Sequence, residues 1–315
     1  MITTLTLNPS IDRTVMLDVL RVGEVQRVLD NRLEPGGKGI NIARALSTNG
    51  TAARAIFPID AAAKPDFLAE LEPLGAICSP FDRVERTRTN LSITEQDGTT
   101  TKLNESGAAL DPALLDGLLQ AAAEAEVDGI VAAAGSLPSG ADVGTYAELA
   151  KRMTSPERTL AFDTSGAPLK AMVGAPCAVA KPNLEELESL VQTSLGSLGA
   201  VIEAATELHH GGWAAILVSL GADGALLIDD EGVHHGRAEV DAVRNTVGAG
   251  DATLAGYLAA RAVGDGGPRA LAEALAWAHA AVTSPGTGAP PVNERDRAAV
   301  TLTASIEPKM KIEGG

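Results

Sequence analysis

The 315-residue chain is poor in cysteine: Cys78 and Cys177 are its only two, and they form no C-x-x-C pair. A disulfide framework or a zinc finger as the source of its stability is thereby disfavoured. Aromatic residues make up 3% of the sequence. That leaves few rings for the stacking platforms that grip single-stranded nucleic acid. Basic residues are short as well, 25 against 41 acidic ones, for a net charge of −16. Such a molecule repels DNA, RNA and anionic membranes, so neither nucleic acid nor membrane is an expected partner. No apolar run reaches the ~18 residues of a membrane-spanning helix. The opening "MITTLTLNPSIDRT" has no basic stretch leading into an apolar one, as a signal peptide would. A soluble cytoplasmic protein is expected. G-x-S-x-G, H-E-x-x-H and the EF-hand loop are also missing. The adjacent pairs His209–His210 and His234–His235 diverge along the chain and are expected at the surface, not on a metal.

Apolar residues are plentiful, at 45%, so a large core can form. A β-branched run at 2–7 is a candidate central strand. Further strand candidates lie at 54–59, 129–135, 159–164, 177–183, 214–220 and 224–230, separated by Ala/Leu/Glu-rich helices such as 112–126, 142–153 and 184–192. That alternation predicts a mainly parallel sheet covered on both faces. Two segments differ. Residues 14–35 alternate apolar and polar positions, and so do 88–106 around "QDGT", a strong hairpin signal. They read as a small antiparallel lid. The final "EPKMKIEGG" is expected to fray.

The unusual motifs fall at the carboxyl ends of the strands, where open α/β sheets bind ligands. If the ligand is a phosphate, an acidic chain must bind it in a locally positive site. Arg27, Lys38, Arg88 and Lys181 stand beside Gly, Pro or Asn motifs suited to this. "EPGGKGINIARAL" is a Gly-rich turn opening a helix, either a phosphate cradle or an ordinary tight turn. Gly39 occupies the place where a P-loop needs Ser or Thr, so it is not a Walker A motif. "NTVGAGDATLAG" offers backbone N–H groups of 248–251 to an oxyanion, while Asp251 reads equally as a plain helix N-terminal acid. A dinucleotide fingerprint is disfavoured by its late position and the absent third glycine. Asn183 and Glu186 in "KPNLEEL" suit either a water shell around Mg²⁺ or a capping box. "SLGADGA" is a hairpin turn or a nucleotide contact. Ser136 in "GSLPSG" is ambiguous.

Taken in order, "TLNPSID", "GGKGINIARAL", "RTRTNLSITEQDG", "GSLPSG", "DTSG", "KPNLEEL", "SLGADGA" and "NTVGAGD" resemble the ribokinase-like carbohydrate kinases of the phosphofructokinase B family. The resemblance spans nearly the whole chain and is strongest to the 1-phosphofructokinase branch. It implies an α/β fold: a ribokinase-like three-layer α/β/α sandwich with a mainly parallel central sheet and a small antiparallel β lid. The chain would be a single kinase domain over 1–315, its lid formed from about 12–35 and 86–106. The implied reaction moves the γ-phosphoryl of ATP, with Mg²⁺, to a ketohexose phosphate. D-fructose 1-phosphate comes first, tagatose 6-phosphate or fructose 6-phosphate second.

Carried over residue by residue, Asp251 matches the family's base, beside the N–H groups of Gly248, Ala249 and Gly250. Asp12, Gly37, Asn41 and Asp251 match the positions that hold sugar hydroxyls. Lys38 and Arg88, with Arg27, match those that hold the substrate phosphate, and Ser136 lies on the substrate side. Lys181, Asn183, Ser219, Gly221, Gly224 and Thr246 match nucleotide contacts, with Glu186 serving Mg²⁺ through water. The apolar alternation of the lid points to a homodimer formed through it. A non-catalytic sugar-phosphate sensor is the reading from another class; intact Asp251, Gly248 and Gly250 speak against it. Two departures stand out. Asn245 replaces the Asp of many relatives, and 58–67, "PIDAAAKPDF", lacks both glycines of their G-x-D-x-x-G segment.

Overall fold

A computed structural model describes residues 1–83, 85–125, 129–153, 158–175, 177–284 and 290–312. The chain begins in β1 (Ile2–Leu5), then leaves the main sheet for a hairpin of β2 (Ser10–Leu17) and β3 (Asp30–Gly36). It returns through α1 (Lys38–Thr48), β4 (Ala53–Asp60), α2 (Lys64–Leu71) and β5 (Ile77–Arg83), and leaves again for a second hairpin, β6 (Arg88–Glu95) and β7 (Thr100–Asn104). Strands and helices alternate next: α3 (Pro112–Glu124), β8 (Ile130–Ala134), α4 (Thr145–Arg152), β9 (Thr159–Asp163), α5 (Gly166–Ala171), β10 (Cys177–Ala180), α6 (Leu184–Val191), α7 (Leu198–His210) and β11 (Trp213–Ser219). The last elements are β12 (Ala225–Asp229), β13 (Gly232–Ala238), α8 (Ala249–Ala262), α9 (Gly267–Thr283), α10 (Glu294–Ala298) and β14 (Val300–Leu302).

The main sheet has ten strands in the order β14-β13-β12-β11-β10-β9-β8-β1-β4-β5. From β11 to β5 all neighbours pair in parallel. β12, β13 and β14 are antiparallel. The turn between β11 and β12 is too short for a crossover, so the chain can only fold back there. Side chains alternate across the sheet. In β8, Ala132 and Ala134 join the cluster under α1, α2, α8 and α9, whereas Val131 and Ala133 join the one under α3 to α7. Two apolar faces covered by two helical layers give the three-layer sandwich.

The second sheet, β3-β2-β6-β7, consists of two antiparallel hairpins. Their inner strands, β2 and β6, pair in parallel, because the chain passes through the main sheet between them. The β6–β7 hairpin turns at Asp97-Gly98, with Gly98 at φ 92°.

Two expectations need correction. The C-terminal tail is not frayed over 308–312. Leu198 N–H donates to Met310 O at 2.9 Å and Gly199 N–H to Pro308 O at 2.9 Å, and Ile312 is buried. These bonds satisfy the start of α7. The rest of that tail lies outside the described residues. His235, expected at the surface, is buried, its ring bonded to the Asp223 carbonyl and the Thr303 hydroxyl.

From β1 the chain builds β4 and β5 on one side and β8 to β11 on the other. That reversal opens a crevice above the carboxyl ends of β1 and β8, the usual ligand position in such sheets.

Candidate active site

α1 begins hard against the end of β1. Gly37 sits at φ 118°, and a Cβ on Gly39 would run into Thr6 Oγ1 and Leu5 O. Only glycine allows this approach. It delivers Lys38 and Asn41 to the crevice. Lys38 Nζ lies 2.5 Å from Oδ1 of Asp163, the last residue of β9. Lys181, just past β10, approaches Asp163 Oδ2 at 3.1 Å. Asp163 is thus a fully buried carboxylate between two ammonium groups. One helical turn beyond Lys38, Asn41 Nδ2 donates to Asp251 Oδ2 at 2.7 Å.

Asp251 lies in the first turn of α8 and is itself buried. The helix has no side-chain cap. Its N-cap Gly248 is left-handed at φ 80°, and Ala252 N–H donates to Gly248 O at 2.8 Å. Among the described bonds, the N–H groups of Gly250 and Asp251 have no partner, which leaves them for an anion at the positive end of the helix. The N–H of Ala249 reaches Thr246 O at 3.4 Å. A Cβ on Gly250 would lie 3.3 Å from Lys181 Nζ, so the ammonium and the bare helix start face the same space.

Electrostatics sort these groups into different protonation states. Burial opposes a charge on Lys38, but Asp163, then Asp251 and Glu186, hold the ammonium well above its ordinary pKa. Burial also opposes ionisation of Asp163, yet Lys181 and Lys38 hold it below the usual carboxylate range. Asp251 goes the other way. Burial and the Asp163 charge push it up to about 6, against the pull of Lys38, Asn41 and Lys181. A buried carboxylate that changes state near neutral pH, beside free anion donors, is equipped to take a proton.

A second cluster joins β2 and β6 at their parallel pairing. Ser10 Oγ donates to Asp12 Oδ1 at 2.7 Å, and Asn90 Nδ2 donates to the same oxygen at 2.9 Å. The Asp12 carboxylate lies directly over Gly36, where a Cβ would collide with it. Arg88 donates to Asn8 O at 3.2 Å and Glu105 O at 2.9 Å. Burial lowers the pKa of its guanidinium, with Asp12 and Glu105 opposing. Asn8 Nδ2 donates to Ser136 Oγ at 3.1 Å, joining the end of β1 to the end of β8.

On the opposite flank, Ser219 N–H donates to Pro182 O at 3.1 Å, placing Ser219 beside Asn183. Asn183 and Glu186 form a reciprocal capping box at the start of α6, with bonds of 2.8 and 2.9 Å. After β11 the chain makes a tight turn through Gly221 and Gly224, closed by Leu220 N–H to Gly224 O at 2.8 Å. Thr246 is exposed before α8.

The structure therefore gathers Lys38, Asn41, Lys181, Gly248, Gly250 and Asp251 into one centre, with Asp12, Gly37, Arg88 and Ser136 on one side and Asn183, Glu186, Ser219, Gly221 and Gly224 on the other. Lys38 and Arg88, expected to share one phosphate, have different neighbours. Lys38 lies with Asp163 and Asp251. Arg27 is exposed in the loop between β2 and β3, with no described contact to either cluster. Asp163, Asn8, Ser10 and Asn90 were not singled out from the sequence. Each lies inside a recognised motif, but their roles depend on partners from distant strands.

Residues 5–295 match the pfkB family of carbohydrate kinases. The chain belongs to that family. It is 36% identical to the 1-phosphofructokinase of Xanthomonas campestris pv. campestris, over 82% of this chain and 83% of that one. It is 35% identical to the 1-phosphofructokinase of Haloferax volcanii, over 93% and 95%. Among solved structures, the phosphofructokinase-2 of Escherichia coli superposes with a TM-score of 0.88 at 29% identity, covering 94% of this chain and 96% of that one. As a member of this family the kinase transfers a phosphoryl group to an alcohol.

Proposed function

We propose that this kinase phosphorylates a ketohexose phosphate with ATP, D-fructose 1-phosphate being the acceptor and fructose 1,6-bisphosphate the product. The observation that carries the reading is the pairing of Asn41 with Asp251 at 2.7 Å, next to Lys181 and the uncapped start of α8. Asp251 accepts the proton of the primary hydroxyl as that oxygen attacks phosphorus. General-base assistance of this kind contributes about 10²–10⁴-fold. The N–H groups of Gly250 and Asp251 stabilise charge on the transferring group, each such donor contributing about 3–4 kcal/mol in a dry site. Lys38 and Lys181, locked onto Asp163, hold positive charge over the same point. Arg88, steadied by Asn8 and Glu105, binds the phosphate already on the sugar, and Asp12, Gly37 and Asn41 hold its hydroxyls. Ser219, Gly221, Gly224, Asn183 and Thr246 line the nucleotide side.

Among the described residues, no group of three or more His, Cys, Asp or Glu is arranged to hold a metal ion. The donor set fits Mg²⁺ carried by the nucleotide phosphates and their waters, with Glu186 reaching that shell through water. When bound, Mg²⁺ neutralises phosphate charge. The small sheet serves as a lid that keeps water from competing as acceptor. Its outer surface carries exposed Val22, Val25, Leu29, Leu33 and Leu103. That apolar area supports a homodimer formed through the lid, which sedimentation of the purified protein tests. Among the described residues no helix is long and apolar enough to cross a membrane, and we place the kinase in the cytoplasm.

The decisive experiment is an ADP-release assay over fructose, fructose 1-phosphate, fructose 6-phosphate and tagatose 6-phosphate. The highest kcat/KM belongs to fructose 1-phosphate. A higher value for another sugar replaces the substrate assignment, and no turnover with any of them favours the sensor reading.

A further inference from the structure

β13 carries a histidine that the reaction above does not use. His235 is 2% exposed, and both ring nitrogens are engaged. Nε2 lies 2.9 Å from the carbonyl oxygen of Asp223, and Nδ1 lies 2.8 Å from Thr303 Oγ1. A carbonyl can only accept, so Nε2 carries the hydrogen and donates it. Burial, with help from Arg237, holds the ring below its ordinary pKa, so it is neutral and Nδ1 accepts from the Thr303 hydroxyl. Thr303 is itself fixed, since its N–H donates to His235 O at 2.8 Å. The tautomer is thus set by the Asp223 carbonyl, and Thr303, from the segment after β14, meets the other ring nitrogen.

Asp223 belongs to the turn that carries Gly221 and Gly224. That turn touches β13 at two adjacent places. Gly224, at φ 89°, lies flat against the backbone of Gly236 and Arg237, so close that a Cβ would strike Gly236 O. One residue earlier on β13, the His235 ring takes the Asp223 carbonyl. A cavity of about 370 Å³ borders this part of β13, lined by Val233, His234, His235, Leu302, Thr303 and Ile306. The His235 bond restrains Asp223 together with the turn's own bonds, Asp223 N–H to Leu220 O and Gly224 N–H to Gly221 O, both at 3.1 Å.

We propose that His235 is a positioning residue for the phosphate donor, fixing through its Nε2–H···O bond to Asp223 the backbone of the turn that receives the nucleotide. The proposal rests on the reading of that turn as nucleotide-binding. A turn free to shift would still bind ATP, but more weakly. The sugar side and the Asp251 centre, built from other strands, would be unaffected.

The test uses the full-length protein, with ATP and fructose 1-phosphate varied in turn. His235→Leu keeps an apolar side chain of similar size but has no donor. It should raise the ATP KM about five- to tenfold, the worth of one hydrogen bond, with the sugar-phosphate KM and the kcat at saturating ATP within about twofold of wild type. His235→Gln, whose amide can donate to the Asp223 carbonyl, should recover most of the ATP KM. An unchanged ATP KM in His235→Leu overturns the proposal, as do equal rises in Leu and Gln variants. Should His235→Leu not fold, Thr303→Val is read instead: loss of the hydroxyl that orients the ring should raise the ATP KM about two- to fivefold, and no rise overturns the proposal. Gly221→Val, which strains the turn at its φ of 61°, separates the two layers. If it too leaves the ATP KM unchanged, the nucleotide reading of the turn fails; if it raises KM while His235→Leu does not, only the role of His235 fails.

Discussion

Asn41 and Asp251 stand 210 positions apart in the chain and meet side chain to side chain at 2.7 Å. The bond joins the first turns of α1 and α8, the two helices that open on the crevice. An amide N–H₂ can only donate, so Asn41 favours the ionised carboxylate. It occupies Oδ2 and leaves Oδ1 without a partner among the described bonds. As the proposed base, Asp251 should be replaceable in shape but not in function. Asp251→Asn should lower kcat at least ~10²-fold with little change in ATP affinity. Single-turnover kinetics with nucleotide titration measure both, and near-normal turnover removes Asp251 from the base role.

The same pair sets a pH dependence. With Asp251 raised to about 6, the base is protonated and idle below that pH. The kcat/KM for the sugar phosphate should therefore rise through about pH 6 and level off above it. Asn41→Ala removes a donor that pulls this value down, so the acid limb should move to higher pH. A limb that stays in place would mean that another group controls it.

Asp163 acts on that limb with the opposite sign. Its charge raises Asp251, so Asp163→Asn should shift the limb to lower pH. The substitution also leaves Lys181 buried without its counter-charge. Losing one partner of a buried pair costs on the order of 3–5 kcal/mol, less where water reaches the other partner. Lys38, with a side chain 37% exposed, is such a case. The expected result is a clear fall in Tm together with the acid shift. A fall in Tm with an unmoved limb would confine Asp163 to a structural role.

Lys38 and Arg88 should separate kinetically. Lys38→Ala removes charge beside Asp163 and Asp251, so it should act mainly on kcat. Arg88→Ala removes a guanidinium held by Asn8 and Glu105 and should act mainly on the sugar-phosphate KM. Fructose, which lacks the phosphate, should be insensitive to Arg88→Ala. Parallel effects of the two variants on KM would restore the joint phosphate site expected from the sequence.

Much of the centre was legible because its residues satisfy backbone demands. Gly37 and Gly39 answer to the approach of α1 to β1, and Gly248 to a left-handed cap, so their spacing shows in the sequence. The strands around β1 were legible from apolar runs between helices. β13 was not, because "GVHHGRA" has no apolar alternation, and its buried His235 is satisfied by Asp223 and Thr303 from other segments. Asp163 escaped notice for the same reason. At a strand end it resembles any loop acid, until α1 and β10 each deliver a lysine to it. In "KPNLEEL" the bland reading was also correct. The capping box forms, and any part in holding Mg²⁺ is additional to it.

The segment that lacks the family's glycines supplies the last prediction. Asp60 ends β4 and accepts from Thr87 N–H at 2.7 Å, Ala62 N–H at 2.9 Å and Ala63 N–H at 3.2 Å. One carboxylate thus holds the start of α2 and the residue before Arg88, at the point where the chain crosses to the small sheet. Burial opposes its ionisation, but the bonds from Thr87, Ala63 and Ala62 outweigh that and bring it down to about 2. A lowered carboxylate pKa stabilises the fold above the unfolded value near 3.8, and that contribution is lost as pH falls toward about 2. Asp60→Ala should cost on the order of 2–3 kcal/mol at neutral pH, as expected for bonds to a charged acceptor. The variant should lose less additional stability than wild type between pH 4 and pH 2, because the titrating group is gone. Its sugar-phosphate KM should rise with that of Arg88 variants, since Thr87 sets where Arg88 begins β6. Urea unfolding across that pH range and KM measurements on the same sample provide the check. A variant with wild-type KM but reduced stability would limit Asp60 to holding α2.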